Sequence, residues 1–227
     1  MQLKVIAHIY NDFKEKFGIP RQSGITNSMI SRIVFTEEYR NEHSLRGLLG
    51  YSHIWVIWQF SKSMRQQWSP TVRPPRLGGN KKIGVFATRS PFRPNPLGLS
   101  SLKLIDIQKA EKDGYVLIVS GADMLNGTPI YDIKPYLRFT DSHPEATGGF
   151  AEELKDYSLS VSFPEHLICA FEEAVRGDLI EILSNDPRPS YHNDEREYVM
   201  NFANKDIHFK VSDGVLRVTG VSEPLEK

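Results

Sequence analysis

Residues Tyr51 to Phe60, YSHIWVIWQF, are aromatic or β-branched at almost every position, the composition a buried strand requires. The stretch reads as a central strand buried on both faces or as one stave of a barrel. Strand side chains alternate, so Trp55 and Trp58 are expected on opposite faces. His53, at its start, reads as a satisfied core histidine rather than a catalytic base.

Downstream, residues 61 to 82 (SKSMRQQWSPTVRPPRLGGNKK) contain Pro70, Pro74, Pro75 and a Gly78-Gly79-Asn80 turn, so no regular element is expected there. Loops of that length inside a compact domain are functional or disordered. Trp68 offers a stacking face, and Lys62, Arg65, Arg73, Arg76, Lys81 and Lys82 offer phosphate partners, a combination that suits nucleic acid. A β-rich run, Ile83 to Thr88, then leads into GVFATRSPFRPNPLGLS, residues 84 to 100. Pro91, Pro94 and Pro96 fix their own φ, remove donors and hold the preceding residues extended. A loop frozen in this way loses little entropy when Arg89, Arg93 and Asn95 meet a ligand.

Upstream, Leu3 to Tyr10 and Ser31 to Thr36 read as strands. Between them Pro20 stiffens a turn that carries Arg21 and Gln22. Further along, Leu99 to Ile107 and Tyr115 to Ser120 are an expected antiparallel pair across KAEKDG. The turn Asp123-Met124-Leu125-Asn126-Gly127 exposes backbone groups before an extended segment from Thr128. Residues 140 to 149, TDSHPEATGG, have linker composition, which divides the chain into units 1–145 and 146–227. In the second unit Ser162, Pro164 and Glu165 suggest a capping box, followed by one amphipathic helix from Leu167 to Leu183 with Cys169 in its core. Arg188 sits in another proline-stiffened loop, and residues 206 to 221 read as a hairpin across Ser212-Asp213-Gly214. The second unit is too small to bury much core alone and is expected to pack on the first.

Apolar and charged fractions of 40% and 25% over 227 residues fit a folded chain. No apolar run approaches a membrane span and the N-terminus lacks signal-peptide regions, so a cytoplasmic protein without membrane contact is expected. The histidines and the single cysteine show no metal-ligand spacing, and no metal is expected. No GxxxxGK[ST], GxSxG or GxGxxG occurs, which removes support for nucleotide hydrolases, α/β-hydrolases and dinucleotide folds. A net charge of zero conceals segregation. From His43 to Ile105 there is no acid among ten cationic residues, whereas Glu145 to Met200 holds thirteen acids against four bases. Such segregation points to a polyanionic partner or to internal pairing of the two segments. The residues by themselves reach a β-dominated domain with a basic, proline-stiffened face, and no reaction.

Four blocks carry a resemblance: PRQSGI from Pro20, YSHIWVIWQF from Tyr51, RPPRLGGNKKIGVFATRSPFRPNPLGLS from Arg73 and NGTPIYDIKPYL from Asn126. They are similar to the TsaA-like family, and within it to bacterial tRNA adenosine N6-methyltransferases that act beside the anticodon. The tail DPRPSYHNDEREYVMNF resembles the C-terminal extension of the bacterial members. The resemblance implies a mainly β fold, a single-sheet β-barrel with a small α+β C-terminal domain, usually a homodimer. It also implies S-adenosyl-L-methionine as cofactor and methylation of N6 of threonylcarbamoyladenosine at tRNA position 37. Carried over, the cofactor residues are Pro20, Arg21, Gln22, Ser61, Lys62, Arg89, Leu99, Asp123, Met124, Leu125 and Asn126. The chain departs from the family pattern at Ser61, where a histidine is usual, and at Asn126, where an aspartate is common. Methyl transfer from a sulfonium has a neutral leaving group, so positioning outweighs acid catalysis. The carbamoylated N6 must lose a proton, for which Asp132 or the substrate's own carboxylate is the candidate base, with Asn95 orienting the adenine edge. Arg73, Arg76, Lys81, Lys82, Arg93 and Arg188 are the expected RNA contacts, with Arg89 and Arg93 suited to the threonyl carboxylate. Two alternatives stay open: a non-catalytic RNA-binding barrel, and a methyltransferase for a small metabolite.

Overall fold

The structure, a computed structural model, describes residues 2–15, 17–20, 22–26, 29–63, 67–74, 77, 81–154, 157–188 and 196–224. The first six long strands are β1 (Ala7–Tyr10), β2 (Ile30–Phe35), β3 (His53–Gln59), β6 (Leu97–Ala110), β7 (Gly114–Ser120) and β8 (Thr128–Pro135), with the two-residue pair β4 (Thr71–Val72) and β5 (Ile83–Gly84) between β3 and β6. The order is β1-β2-β7-β6-β3-β8, and β8 pairs with β1 as well as with β3, so the sheet closes on itself. All neighbours in the ring are antiparallel.

Alternation follows the composition. On β3 the buried positions are Ile54, Val56 and Trp58, while His53, Trp55, Ile57 and Gln59 are half-buried on the other face. The strand is thus buried on one face only. Its inward residues join Ala7, Ile9, Ile33, Leu102, Leu117 and Ile130 in the core of the ring. His53 is half-buried with Nδ1 2.9 Å from Ser52 Oγ.

The run expected from Ile83 to Thr88 is strand for only two residues and then a 3-10 turn, Val85–Ala87. Buried Val85 and a bond from its amide to the Pro70 carbonyl turn the chain inward there. After the ring come α1 (Arg138–Asp141), β9 (Ser160–Ser162), α2 (Glu165–Ile168), α3 (Glu173–Ser184), β10 (Tyr198–Phe202), β11 (Lys205–Ser212) and β12 (Val215–Ser222). The last strands form a separate sheet, β10-β11-β12-β9, with β9 parallel to β12.

The single long helix of the sequence reading is two helices. Ser162 belongs to β9, α2 starts at Glu165 with Pro164 before it and no side-chain cap, and the chain breaks at Cys169 to Glu172. Phe171 drives the break: it is buried in the second core against Phe163, and Arg176 Nε donates to its carbonyl at 3.0 Å. Burial of one aromatic outweighs the few backbone bonds a continuous helix would add. Cys169 falls at the break and is exposed, not core.

The second core is not confined to the second unit. Phe13 and Met29 are buried in it beside Leu179, Leu183, Met200, Phe202 and Phe209, with Phe17 and Ile19 packed against it. The connection between β1 and β2 therefore leans on the second core through Phe13, Phe17, Ile19 and Met29.

Candidate active site

The principal cavity, about 700 Å³, falls in the range of small-ligand sites. Four separated stretches build it: Ile19, Pro20 and Gln22 from the β1–β2 connection; Gln59 to Ser63 from the end of β3 onward; Arg89, Pro91, Arg93 and Asn95 from the proline loop; and Asp123, Leu125 and Thr128 leading into β8. Leu97, Gly98 and Leu99 of β6 supply the floor beside Trp55 and Trp58.

Local chemistry explains why these loops hold still. In the proline loop each short side chain bonds its own backbone: Thr88 Oγ1 donates to Val85 O at 2.9 Å, Thr88 Oγ1 accepts from Ser90 N, and Ser90 Oγ accepts from Phe92 N. Arg93 folds back to donate to the carbonyls of Thr88 and Ser90 at 3.1 and 3.3 Å. The Asp123 turn is stitched to the β1–β2 connection. Asn126 Oδ1 accepts from Asn11 N at 3.0 Å, Asn126 N donates to Phe13 O at 2.8 Å, and Asn11 Nδ2 donates to Met124 O at 3.0 Å. The guanidinium of Arg89 donates to Gln22 Oε1, joining the proline loop to the Pro20 turn.

Asp123 is the one carboxylate lining the cavity among the described residues. Burial pushes its carboxyl above the ordinary range, opposed by the Ser100 hydroxyl, its own and Ser23's backbone and the charge of Arg89. Asp141, outside the cavity, is held low by the Leu137 amide and the Trp55 indole.

Of the expected cofactor residues, Pro20, Gln22, Ser61, Lys62, Arg89, Leu99, Asp123 and Leu125 line one cavity. Met124 and Asn126 do not: the Met124 side chain is fully buried in the ring, and Asn126 acts as the clamp just described. Arg93 and Asn95 join the cavity, so the proline loop serves it directly. Asp132 lies outside, ion-paired to Lys134 at 2.7 Å, which argues against it as the base. Arg73, Lys81 and Lys82 lie off the cavity, and none of them is ion-paired among the described residues. Arg188 is no surface cation: it is buried at 8% exposure, with Nε 2.8 Å and Nη2 3.0 Å from the Asp186 carboxylate. Arg21 and Arg76 lie outside the described residues. The sequence reading missed Trp58, Gly98 and Ser100. A serine and a glycine in a strand carry no signal until the register shows what they face.

Apolar walls, cationic side chains and one carboxylate among the described residues suit a ligand that carries both charges and a flat ring. The domain family described as tRNA-methyltransferase O N-terminal domain matches residues 8–142, and the TrmO C-terminal domain matches residues 157–224. The chain is 37% identical over 226 residues to the tRNA (adenine(37)-N6)-methyltransferase of Escherichia coli (strain K12), covering 96% of each. It is 45% identical over 174 residues to the enzyme of that name from Eikenella corrodens, covering 75% of this chain and 97% of that one. A solved structure of TrmO from Pseudomonas aeruginosa superposes with a TM-score of 0.74 at 26% identity, covering 98% of both chains. With both domains matched in order and the cavity built where the blocks converge, the chain belongs to the tRNA-methyltransferase O family.

Proposed function

We propose that the protein is an S-adenosyl-L-methionine-dependent methyltransferase acting on N6 of adenosine 37 of tRNA, with the threonylcarbamoyl form as substrate. The observation that carries this reading is the convergence of Pro20, Gln22, Ser61, Lys62, Arg89, Leu99, Asp123 and Leu125 on one cavity large enough for a nucleoside joined to an amino acid. The residues fit the cofactor chemically. Ile19, Phe60, Leu97 and Leu99 offer apolar surface for a base, Asp123 offers an acceptor for an ammonium or hydroxyl group, and Arg89 and Lys62 offer donors for a carboxylate. When bound, the cofactor supplies an electrophilic methyl group.

The protein's share is placement. Arg89, already oriented by Gln22, and Asn95 on the locked loop sit where a carboxylate and an adenine edge can be received without further ordering. With Asp132 outside the cavity, the substrate's own carboxylate is the base this arrangement favours for the N6 proton. Arg73, Lys81 and Lys82, which flank the β4–β5 pair and make no ion pair among the described residues, suit phosphate contacts. We read the closed ring as the family's β-barrel, residues 1–145 and 146–227 as its two units, and the working molecule as a cytoplasmic homodimer.

The decisive experiment supplies labelled S-adenosyl-L-methionine with tRNA bearing or lacking the threonylcarbamoyl group, followed by nucleoside mass analysis. Methyl label on the modified adenosine 37 alone is expected. A folded protein that leaves that nucleoside unlabelled overturns the reading.

A further inference from the structure

Three buried groups stand in line behind the single carboxylate of the cavity. Gly98 on β6 is the register partner of Trp58 on β3. A Cβ at position 98 would lie 2.2 Å from Trp58 Cε2, inside any permitted contact, so only glycine lets the indole lie against that strand. Trp58 is 4% exposed and its ring is further held by Phe60 at 4.3 Å between centroids. An indole N–H donates and never accepts. Here it donates to Ser100 Oγ at 2.9 Å, and Ser100 is 1% exposed.

That first bond decides the second. With an indole N–H filling its acceptor side, the Ser100 hydroxyl turns its own hydrogen outward, and it donates to Asp123 Oδ1 at 2.6 Å, the length of a charge-assisted bond. The direction of donation is thus set from the core outward, and it ends on a carboxyl oxygen of Asp123.

We propose that Trp58 and Ser100 are positioning residues that fix the orientation and the charge of Asp123 for cofactor binding. The inference rests on the reading of the cavity as an S-adenosyl-L-methionine site. Without Ser100, burial would act on Asp123 with less opposition, and the neutral acid accepts poorly from a cationic or hydroxylic ligand. Among the described residues, the other charged side chains lining the cavity are Arg89 and Arg93 from the proline loop and Lys62 after β3, and the β1–β2 connection presents the Gln22 side chain and the Ser23 backbone. No histidine lines the cavity among the described residues, so an acid limb in cofactor binding belongs to Asp123.

The test measures S-adenosyl-L-methionine affinity by calorimetry across pH for the wild type, Ser100→Ala, Ser100→Thr and Trp58→Phe, alongside kcat and KM with tRNA. Ser100→Ala is expected to weaken cofactor affinity by on the order of tenfold or more at neutral pH, the size of a lost bond to a charged group. Its acid limb should move to higher pH, with kcat at saturating cofactor much less affected than KM for cofactor. Ser100→Thr, which keeps the hydroxyl, should restore both affinity and limb, and Trp58→Phe should fall between. A Ser100→Ala acid limb that stays in place, or a Ser100→Thr protein no better than Ser100→Ala, overturns the inference. Should Ser100→Ala fail to fold, the Trp58→Phe limb decides, and an unshifted limb there counts against it. A wild type that binds no cofactor at all refutes the underlying reading instead.

Discussion

Arg188 shows how far a single side chain can depart from its sequence context. Between prolines in an apparently open loop, it reads as a cation waiting for phosphate; in the fold it answers a buried acid. Burial alone would raise the Asp186 carboxyl, but bonds from Arg188 and Tyr157 outweigh it and hold the group below the usual carboxylate range. Replacing Arg188 with alanine should therefore cost on the order of 3–5 kcal/mol in a denaturant titration, because it takes the Arg188 guanidinium away from a buried carboxylate. The same variant should leave the salt dependence of tRNA binding at the wild-type slope; a slope lowered by about one would make Arg188 a phosphate contact after all. The acid side of the stability profile follows from the same pair. Asp186 has its folded pKa depressed, so its contribution is full above the unfolded value and is lost as pH falls through the folded one. Arg188→Ala should accordingly flatten the loss of stability at acid pH, a comparison that thermal melts at several pH values can make.

The turns and strands divide cleanly into what residue patterns can and cannot announce. The hairpin β11–β12 was readable, because Asp213 and Gly214 adopt the left-handed backbone that a two-residue turn demands. The β6–β7 pair and the inward alternation from Trp58 were readable for the same reason: local composition and local geometry agree. The break between α2 and α3 was not, since helical periodicity runs through it and only the burial of Phe171 from outside the helix cancels it. Most of the cavity residues were legible through the blocks from Pro20, Arg73 and Asn126, whereas Ser100 acquires meaning only from the register that sets it behind Asp123.

Gly18 repeats the point in the segment that carries Pro20 and Gln22. It holds φ at +91°, and a Cβ there would meet Met200 Sδ at 2.5 Å. Gly18→Ala is expected to destabilise the protein by roughly 1–3 kcal/mol and to weaken cofactor binding, although position 18 lines no part of the principal cavity. Adding Met200→Ala should recover only the steric share, leaving the backbone strain, and a double-mutant comparison of melting and calorimetry would show it. Unchanged cofactor affinity in Gly18→Ala would mean that the Pro20 turn is held by other contacts.

The charge map belongs to the molecule as a whole. Arg73, Lys81, Lys82, Arg89 and Arg93 are not ion-paired to any carboxylate among the described residues, those of the acidic C-terminal segment included. Binding of tRNA should weaken steeply with salt, and replacing Lys81 and Lys82 together with alanine should lower the log–log slope by about two while cofactor affinity stays unchanged. A slope insensitive to that change would move the RNA elsewhere.

Phe13 and Met29 lodge in a buried core otherwise supplied by the far end of the chain, and Ile19, Pro20 and Gln22 between them line the principal cavity. Energy released on occupancy is thereby shared with residues that never meet the occupant. Amide exchange in Tyr198–Phe202 and Lys205–Ser212 should slow when S-adenosyl-L-methionine is added, coupling a distant sheet to a small molecule through two apolar anchors.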